Sequence, residues 1–245
     1  MRRYGLIGKK LGHSFSKRYF TEKFEKEGIR DSVYELYELP DIAEVPELLA
    51  REPELVGLNV TVPYKEAVKP YLDELDKSAA AIGAVNTIRI KDGRTKGYNT
   101  DFIGFRDTLE QFYPQEARGQ ALVLGTGGAA KAVWAALRAL AIPYVPVSRN
   151  PAAGELSYEA VTPEILKQYN LLINTTPLGM APDTASAPAI PYDALTSQHY
   201  LYDLVYNPEE TSFLQKGRAA GAKTLNGLPM LHGQAEAAWK IWNNE

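Results

Sequence analysis

A chain of 245 residues can hold one large domain or two of modest size. Its net charge of -3 gives nucleic acid and anionic membranes no electrostatic footing as partners. The absence of cysteine excludes disulfides, thiolate nucleophiles and Cys-ligated metals, and fits a reducing compartment.

No apolar stretch is long enough for a signal peptide or a membrane span, so the expected setting is the cytoplasm. The three histidines, His13, His199 and His232, share no metal-ligand spacing. They read as structural or solvated, and no metal is expected.

Residues 3 to 8 read as a first strand, followed by a polar loop. Residues 17 to 27 carry Tyr19, Phe20 and Phe24 at helical period, with Ser14 or Ser16 available as the cap. The pair also suits hydrogen bonds to a small polar ligand. Val33 to Leu39 alternates as a strand, and a short helix is expected over 41 to 51. Val56 to Val62 is a further strand, interrupted by the polar Asn59 and Thr61. Pro63 then suits the first helical position, which puts Lys65 in a first turn. A cation there opposes the helix dipole and is a better acid for it; the alternative is a lysine reaching solvent.

Helices are expected over 64 to 71 and 74 to 82, then a strand over 83 to 90. Asp92-Gly93 predicts a hairpin turn into a return strand at 94 to 98. Asn99-Thr100-Asp101 opens a helix to about 112, with Asp101 a candidate N-cap. Asn59, Thr61, Lys65, Asn86 and Asp101 all fall at strand ends or at the helix starts after them. Ligands bind at such positions in open α/β sheets.

Ala121 to Leu124 is an apolar run that breaks at Gly125 and continues as an Ala-rich helix over 128 to 140. Gly125, Gly127 and Ala130 have the G-x-G-x-x-G/A spacing of a dinucleotide-binding turn, where bare backbone and the positive helix end face an anion. A Gly-rich turn with no ligand shows the same spacing. The next strand, 144 to 147, leads into Ser148-Arg149-Asn150. An NAD-specific fold places an acidic residue near this point; arginine suits the extra phosphate of NADP, or is a plain surface residue. Strands follow at 171 to 174 and 200 to 205, then a helix over 209 to 220. From Leu228 on, Leu231, Ala235, Ala238 and Trp242 mark an amphipathic helix, with Gln234 at the edge of its apolar face.

Eight short stretches, in this order, carry a resemblance. They are Gly12-His13-Ser14-Phe15-Ser16, Gly57 to Lys65 and Gly83 to Thr87, then Gly97 to Asp101 and Gly125 to Ala129, then Asn174 to Met180, Asp203 to Tyr206, and Asn226-Gly227 with Met230 to Gln234. Over nearly its whole length the chain resembles the shikimate dehydrogenase family. The resemblance implies two α/β domains. Residues 1–103, completed by 226–245, would form a substrate-binding catalytic domain on which the C-terminal helix packs. Residues 104–225 would form a Rossmann-like NADP-binding domain, with the active site in the cleft.

The resemblance further implies reversible, NADPH-dependent reduction of 3-dehydroshikimate to shikimate, on the way to chorismate and the aromatic amino acids. Lys65 and Asp101 would be the catalytic pair. Ser14, Ser16 and Tyr206 would hold the substrate carboxylate, and Asn59, Thr61, Asn86, Asp101 and Gln234 the ring hydroxyls. The cofactor would be held by Gly125, Thr126, Gly127, Gly128, Ala129, Ser148, Arg149, Asn150, Thr175, Leu204 and Gly227. Partners would be small molecules only, in a monomer or homodimer.

One departure stands out. The family shows a second basic residue a few positions after the arginine, where this chain reads Pro151-Ala-Ala-Gly-Glu155. NADP remains the expected cofactor, with weaker discrimination against NAD. The alternatives are a relative that also accepts quinate and NAD, or a non-catalytic NADP-sensing protein, whose mark would be loss of the Lys65–Asp101 pair.

Overall fold

Two separate sheets organise the chain in a computed structural model that describes residues 1–12 and 14–243. His13 lies outside the described residues. Contacts divide the chain into two units, Met1–Asp101 with Gln234–Glu245, and Phe102–Gly233. The expected boundaries of 103/104 and 225/226 sit two and eight residues from these divisions.

In the first unit the elements run β1 (Arg2–Gly8), α1 (Phe15–Glu27), β2 (Ser32–Glu38), α2 (Val45–Arg51), β3 (Leu55–Val60), α3 (Tyr64–Ala67), β4 (Glu74–Leu75), α4 (Lys77–Ile82), β5 (Thr87–Lys91) and β6 (Arg94–Tyr98). The strand order is β2-β1-β3-β5-β6-β4. β1 is parallel to β2 and β3, whereas β5 is antiparallel to both β3 and β6. The register pairs Asn59 with Thr87 and Thr87 with Tyr98. The ends of β1, β3 and β6 and the start of β5 therefore share one edge of the sheet. Asp92 and Gly93 take φ of 52° and 73°, the left-handed conformation a tight hairpin needs.

Several expectations are corrected here. Pro63 is the N-cap of α3 rather than its first residue, and α3 is a single turn. Residues 74 and 75 extend a strand along β6 instead of starting a helix. β5 begins at Thr87, because Gly83 (φ 78°) caps α4 and residues 84 to 86 remain loop.

α5 (Thr100–Phe112) leads into the second unit: β7 (Ala121–Leu124), α6 (Gly128–Ala139), β8 (Tyr144–Ser148), β9 (Leu156–Ser157), α7 (Pro163–Leu166), β10 (Leu171–Asn174), β11 (Tyr200–Asp203), α8 (Ser212–Ala219), β12 (Lys223–Leu225) and α9 (Leu228–Asn243). All its strand pairings are parallel, in the order β12-β11-β10-β7-β8-β9. Along β7, Ala121 and Val123 face one core while Leu122 and Leu124 face another, so helices cover both sides of the sheet. β9, β12 and α7 are too short and polar to have given a periodic signal. β11 stops at Asp203, two residues before the expected end.

α9 carries its apolar residues on a narrower face than its periodicity predicts, since Leu228 is exposed. Met230 packs on the second unit's core. In the first unit, Ala235, Ala238, Trp239 and Trp242 pack with Tyr4, Phe20 and Phe24. Gly57 makes room for Trp242: a Cβ there would stand 2.4 Å from the indole, whose Nε1 donates to Ile88 O at 3.0 Å.

Candidate active site

At the shared edge of the first sheet, the chain leaves β3 through Thr61 and turns into α3. Thr61 N–H donates to Ile7 O and Tyr64 N–H to Thr61 O, which fixes the turn. Lys65 follows as the second residue of α3, and its carbonyl accepts from Val85 N–H at 2.7 Å. Asp101 lies inside the first turn of α5, not at its cap, where the helix dipole favours a carboxylate. Lys65 Nζ meets Asp101 Oδ2 at 2.8 Å. The side chains keep 34% and 23% of their exposure, so the lysine is neither solvated freely nor sealed in the core. A pair this accessible adds little to stability; its value lies in a defined position for the ammonium.

Beside this pair lies a network of buried polar groups. Tyr34 OH donates to Asn59 Oδ1 at 2.7 Å, and Asn59 Nδ2 donates to Asn86 O and Thr87 Oγ1. Asn86 Oδ1 accepts from Thr100 N–H at 2.6 Å, while its Nδ2 donates to Thr100 Oγ1 at 3.0 Å. Asn59 and Asn86 are thereby fixed in orientation, because Asn86 O can only accept from Asn59 Nδ2 and Thr100 N–H can only donate to Asn86 Oδ1. Thr100 Oγ1 also lies 3.5 Å from Gln234 Oε1. Gln234, whose place at the edge of the apolar face suits either a half-exposed glutamine or a polar contact, is buried in α9 and makes the contact.

The two serines have different work. Ser14 caps α1, with Oγ accepting from Lys17 N–H at 3.2 Å. Ser16 lies against the Tyr34 hydroxyl. Burial pushes that hydroxyl well above its ordinary range, and Ser16 partly opposes the shift. Ser16, Tyr34 and Asn59 thus form one chain of polar contacts. Tyr34, Thr87 and Thr100 were missed by sequence reasoning. Thr87 and Thr100 stand inside two of the resembling stretches, but nothing in the sequence marks Tyr34, which only register brings to Asn59.

In the second unit, β7 ends at the point where the strand order reverses, with β8 on one side and β10 on the other. A cavity of about 570 Å³ opens there, lined on one side by Gly125, Thr126, Gly127, Ser148, Arg149 and Asn150. Gly125 has φ 104°, and a Cβ would approach Thr175 Oγ1 and Thr176 Cγ2 to 2.8 Å. Gly127 caps α6 with no side-chain bond, and a Cβ on Gly127 or Gly128 would meet nothing within 4 Å. Bare backbone at Gly127 and Gly128 therefore borders open space at the start of α6, while Ala130 is fully buried against the core. This is the arrangement a pyrophosphate requires, so the residues fit a dinucleotide.

Thr175 also lines the cavity, but its hydroxyl donates to Leu124 O and Gly125 O, which ties β10 to the glycine turn. Thr176, Pro177, Leu178, Tyr158 and Val147 complete the lining. The first three lie in the resembling Asn174 to Met180 stretch, while Tyr158 has no sequence signal. Burial raises the Tyr158 hydroxyl's pKa, and the nearby Arg149 charge opposes the rise. Of the remaining expected residues, Gly128 and Ala129 are exposed at the start of α6. Leu204 and Gly227 lie outside this cavity lining. Gly227 permits a close backbone approach, since a Cβ would stand 2.1 Å from Leu204 O. Tyr206 is exposed in the loop after β11.

Among the described residues, no group of three or more histidine, aspartate or glutamate side chains is placed to hold a metal ion. His199 is buried, with its ring between the Thr196 backbone and Leu166 O, and His232 is exposed. No described helix is long and apolar enough to cross a membrane.

Residues 6–88 match the family model described as the shikimate dehydrogenase substrate binding domain. The shikimate dehydrogenase (NADP(+)) of Halothermothrix orenii is 39% identical, over 97% of this chain and 89% of that protein. That of Clostridium perfringens is 40% identical, over 99% of this chain and 93% of that protein. The crystal structure of shikimate 5-dehydrogenase from Thermus thermophilus, in complex with NADP(H) and shikimate, superimposes with a TM-score of 0.87 at 33% identity. That match covers 100% of this chain and 94% of the other.

Proposed function

This chain belongs to the shikimate dehydrogenase family and is an NADP-dependent oxidoreductase acting on a CH–OH group, and we propose how its own residues divide that work. The reaction is the reversible reduction of 3-dehydroshikimate to shikimate. The observation that carries the assignment of roles is the Lys65–Asp101 pair, 2.8 Å apart at the edge where β3, β5 and β6 meet.

NADPH supplies the hydride when bound. Reduction of a ketone places negative charge on its oxygen, and a proton donor must stand within hydrogen-bond reach. Lys65 holds such a proton at Nζ. Asp101 keeps the ammonium oriented and accepts from a ring hydroxyl with its remaining capacity. Asn59, Asn86, Thr61 and Gln234 bind the other ring hydroxyls, and Ser14 and Ser16 the carboxylate. For Asn59 and Asn86, fixed orientation supports this role, since a preorganised amide loses little freedom on binding. Ser14 keeps a free donor while it caps α1, because its oxygen accepts and its O–H remains available.

In the second unit, Gly125, Thr126, Gly127, Gly128 and Ala129 cradle the pyrophosphate at the start of α6. Ser148, Arg149 and Asn150 take the adenosine phosphate, with Thr175, Leu204 and Gly227 shaping the site. Among the described residues, Arg149 is the one basic residue lining the cavity, which supports weaker rejection of NAD than a doubly basic loop provides.

The test is absorbance at the reduced-nicotinamide band, with shikimate or quinate and with NADP or NAD in parallel. Turnover with shikimate and NADP is the expected result. Ligand binding without turnover would overturn the catalytic reading, and equal rates with quinate or NAD would move the protein to the broader specificity.

A further inference from the structure

The wall of the dinucleotide cavity formed by Thr176, Pro177 and Leu178 rests on a buried carboxylate that no catalytic or binding role accounts for. Asp203, at the end of β11, is wholly buried. Its Oδ1 accepts from Asn174 Nδ2 at 2.9 Å and from Val205 N–H at 3.0 Å, and its Oδ2 accepts from Thr211 Oγ1 at 2.6 Å. All three donors are neutral. A hydrophobic side chain of this size, or a second amide, would serve a purely packed interior better than a carboxylate.

The polarity of the carboxylate explains its presence. Asn174 can turn its amide either way. Facing an ionised carboxylate, which only accepts, it must present Nδ2 to Asp203 and leave Oδ1 pointing the other way. Oδ1 then accepts from Thr176 N–H at 3.0 Å and Thr176 Oγ1 at 2.6 Å. Thr176 Oγ1 in turn accepts from Leu178 N–H at 3.3 Å. The chain of contacts runs from Thr211 through Asp203 and Asn174 to the backbone of the cavity wall. Were the amide reversed, Nδ2 would face the Thr176 N–H, donor against donor.

We infer that Asp203 is a positioning residue for the cofactor: by fixing the orientation of Asn174 it holds Thr176 to Leu178 in the shape that receives the dinucleotide. The inference rests on the reading of this cavity as the NADP site. It makes no contact of Asp203 with the cofactor, and the effect is transmitted through Asn174.

The experiment is calorimetric titration of NADP+ into the full chain, at a temperature where each variant is folded by circular dichroism. Asp203→Asn is expected to raise the Kd about tenfold, the scale of a misplaced buried hydrogen bond. Thr211→Val, which removes the outer donor at a residue that does not line the cavity, is expected to raise it in the same direction, and Thr211→Ser to return it to the wild-type value. Arg149→Ala runs beside them as the test of the cavity itself. Should folded Asp203→Asn bind NADP+ like wild type while Arg149→Ala is weakened, Asp203 is a stability residue only and the inference is overturned. Should Asp203→Asn fail to fold, Thr211→Val and Thr211→Ser decide by the same criterion. Should Arg149→Ala bind NADP+ as wild type does, the cavity reading falls and the inference with it.

Discussion

Lys65 and Asp101 are 36 residues apart in sequence and 2.8 Å apart in space, one in the single turn after β3 and the other in the first turn of α5. Removing the ammonium leaves the hydride chemistry without a proton donor. Lys65→Met is therefore expected to lower kcat by about 10²–10⁴-fold, with a small change in KM for shikimate. Asp101→Asn is expected to lower kcat and raise KM together, since it both orients the lysine and meets the substrate. Steady-state kinetics check both, and an unchanged kcat in Lys65→Met would remove the lysine from the mechanism.

Arg149 is exposed as the first residue of the loop after β8, where it can meet a phosphate without being buried by it. Arg149→Ala is expected to raise KM for NADPH about tenfold, while KM for dehydroshikimate stays near wild type. It is also expected to narrow the ratio of NADP to NAD turnover. Equal effects on both substrates would show that the arginine is not the phosphate contact.

Asp203 makes stability depend on pH in an unusual direction. Burial raises its carboxyl from the ordinary 3.8 to about 6, against the opposing hydrogen bonds of Thr211, Val205 and Asn174. The folded state therefore binds this proton more readily than the unfolded chain between about pH 4 and 6. Its contribution to stability is greatest at the acid end of that window and falls as pH rises through 6. A shift of about two units is worth on the order of 3 kcal/mol. Relative to Asp203→Asn, the wild-type Tm is expected to rise on going from pH 7.5 to 4.5. A difference in Tm that stays flat across the window would mean that the carboxyl remains ionised throughout.

Trp242 closes the first unit's core from α9. Its ring lies over Gly57 and stacks at a tilt on Tyr4, with centroids 5.0 Å apart. Trp242→Ala is expected to cost about 3–5 kcal/mol in denaturant unfolding, from the lost burial and the cavity left behind. Ile88 O also loses its donor. A loss under about 1 kcal/mol would show that the C-terminal helix is not part of this core.

Much of the molecule was legible because its signals are local. The run Ala121 to Leu124, the break at Gly125 and the Ala-rich α6 announce a strand, a turn and a helix through period and glycine alone. The hairpin at Asp92-Gly93 needs only two residues to specify it. Failures came where local preference was weak and a neighbour decided. Glu74 and Leu75 became strand because β6 offered an edge. The segment from 151 to 170, with β9 and α7, has no run long enough for a period to show.

The candidate site divides in the same way. Sequence by itself determined which chemical groups are present: a lysine after Pro63, an aspartate opening a helix, amides at strand ends and a bare glycine turn. Those follow from residue identity and spacing along one element. Only the tertiary structure decided which groups meet. Tyr34 reaches Asn59 because β2 and β3 flank β1 in register, and Thr211 reaches Asp203 across the start of α8. Hydrogen bonds between distant segments depend on strand register and helix placement, and those are fixed by the sum of core packing rather than by any stretch of sequence read alone.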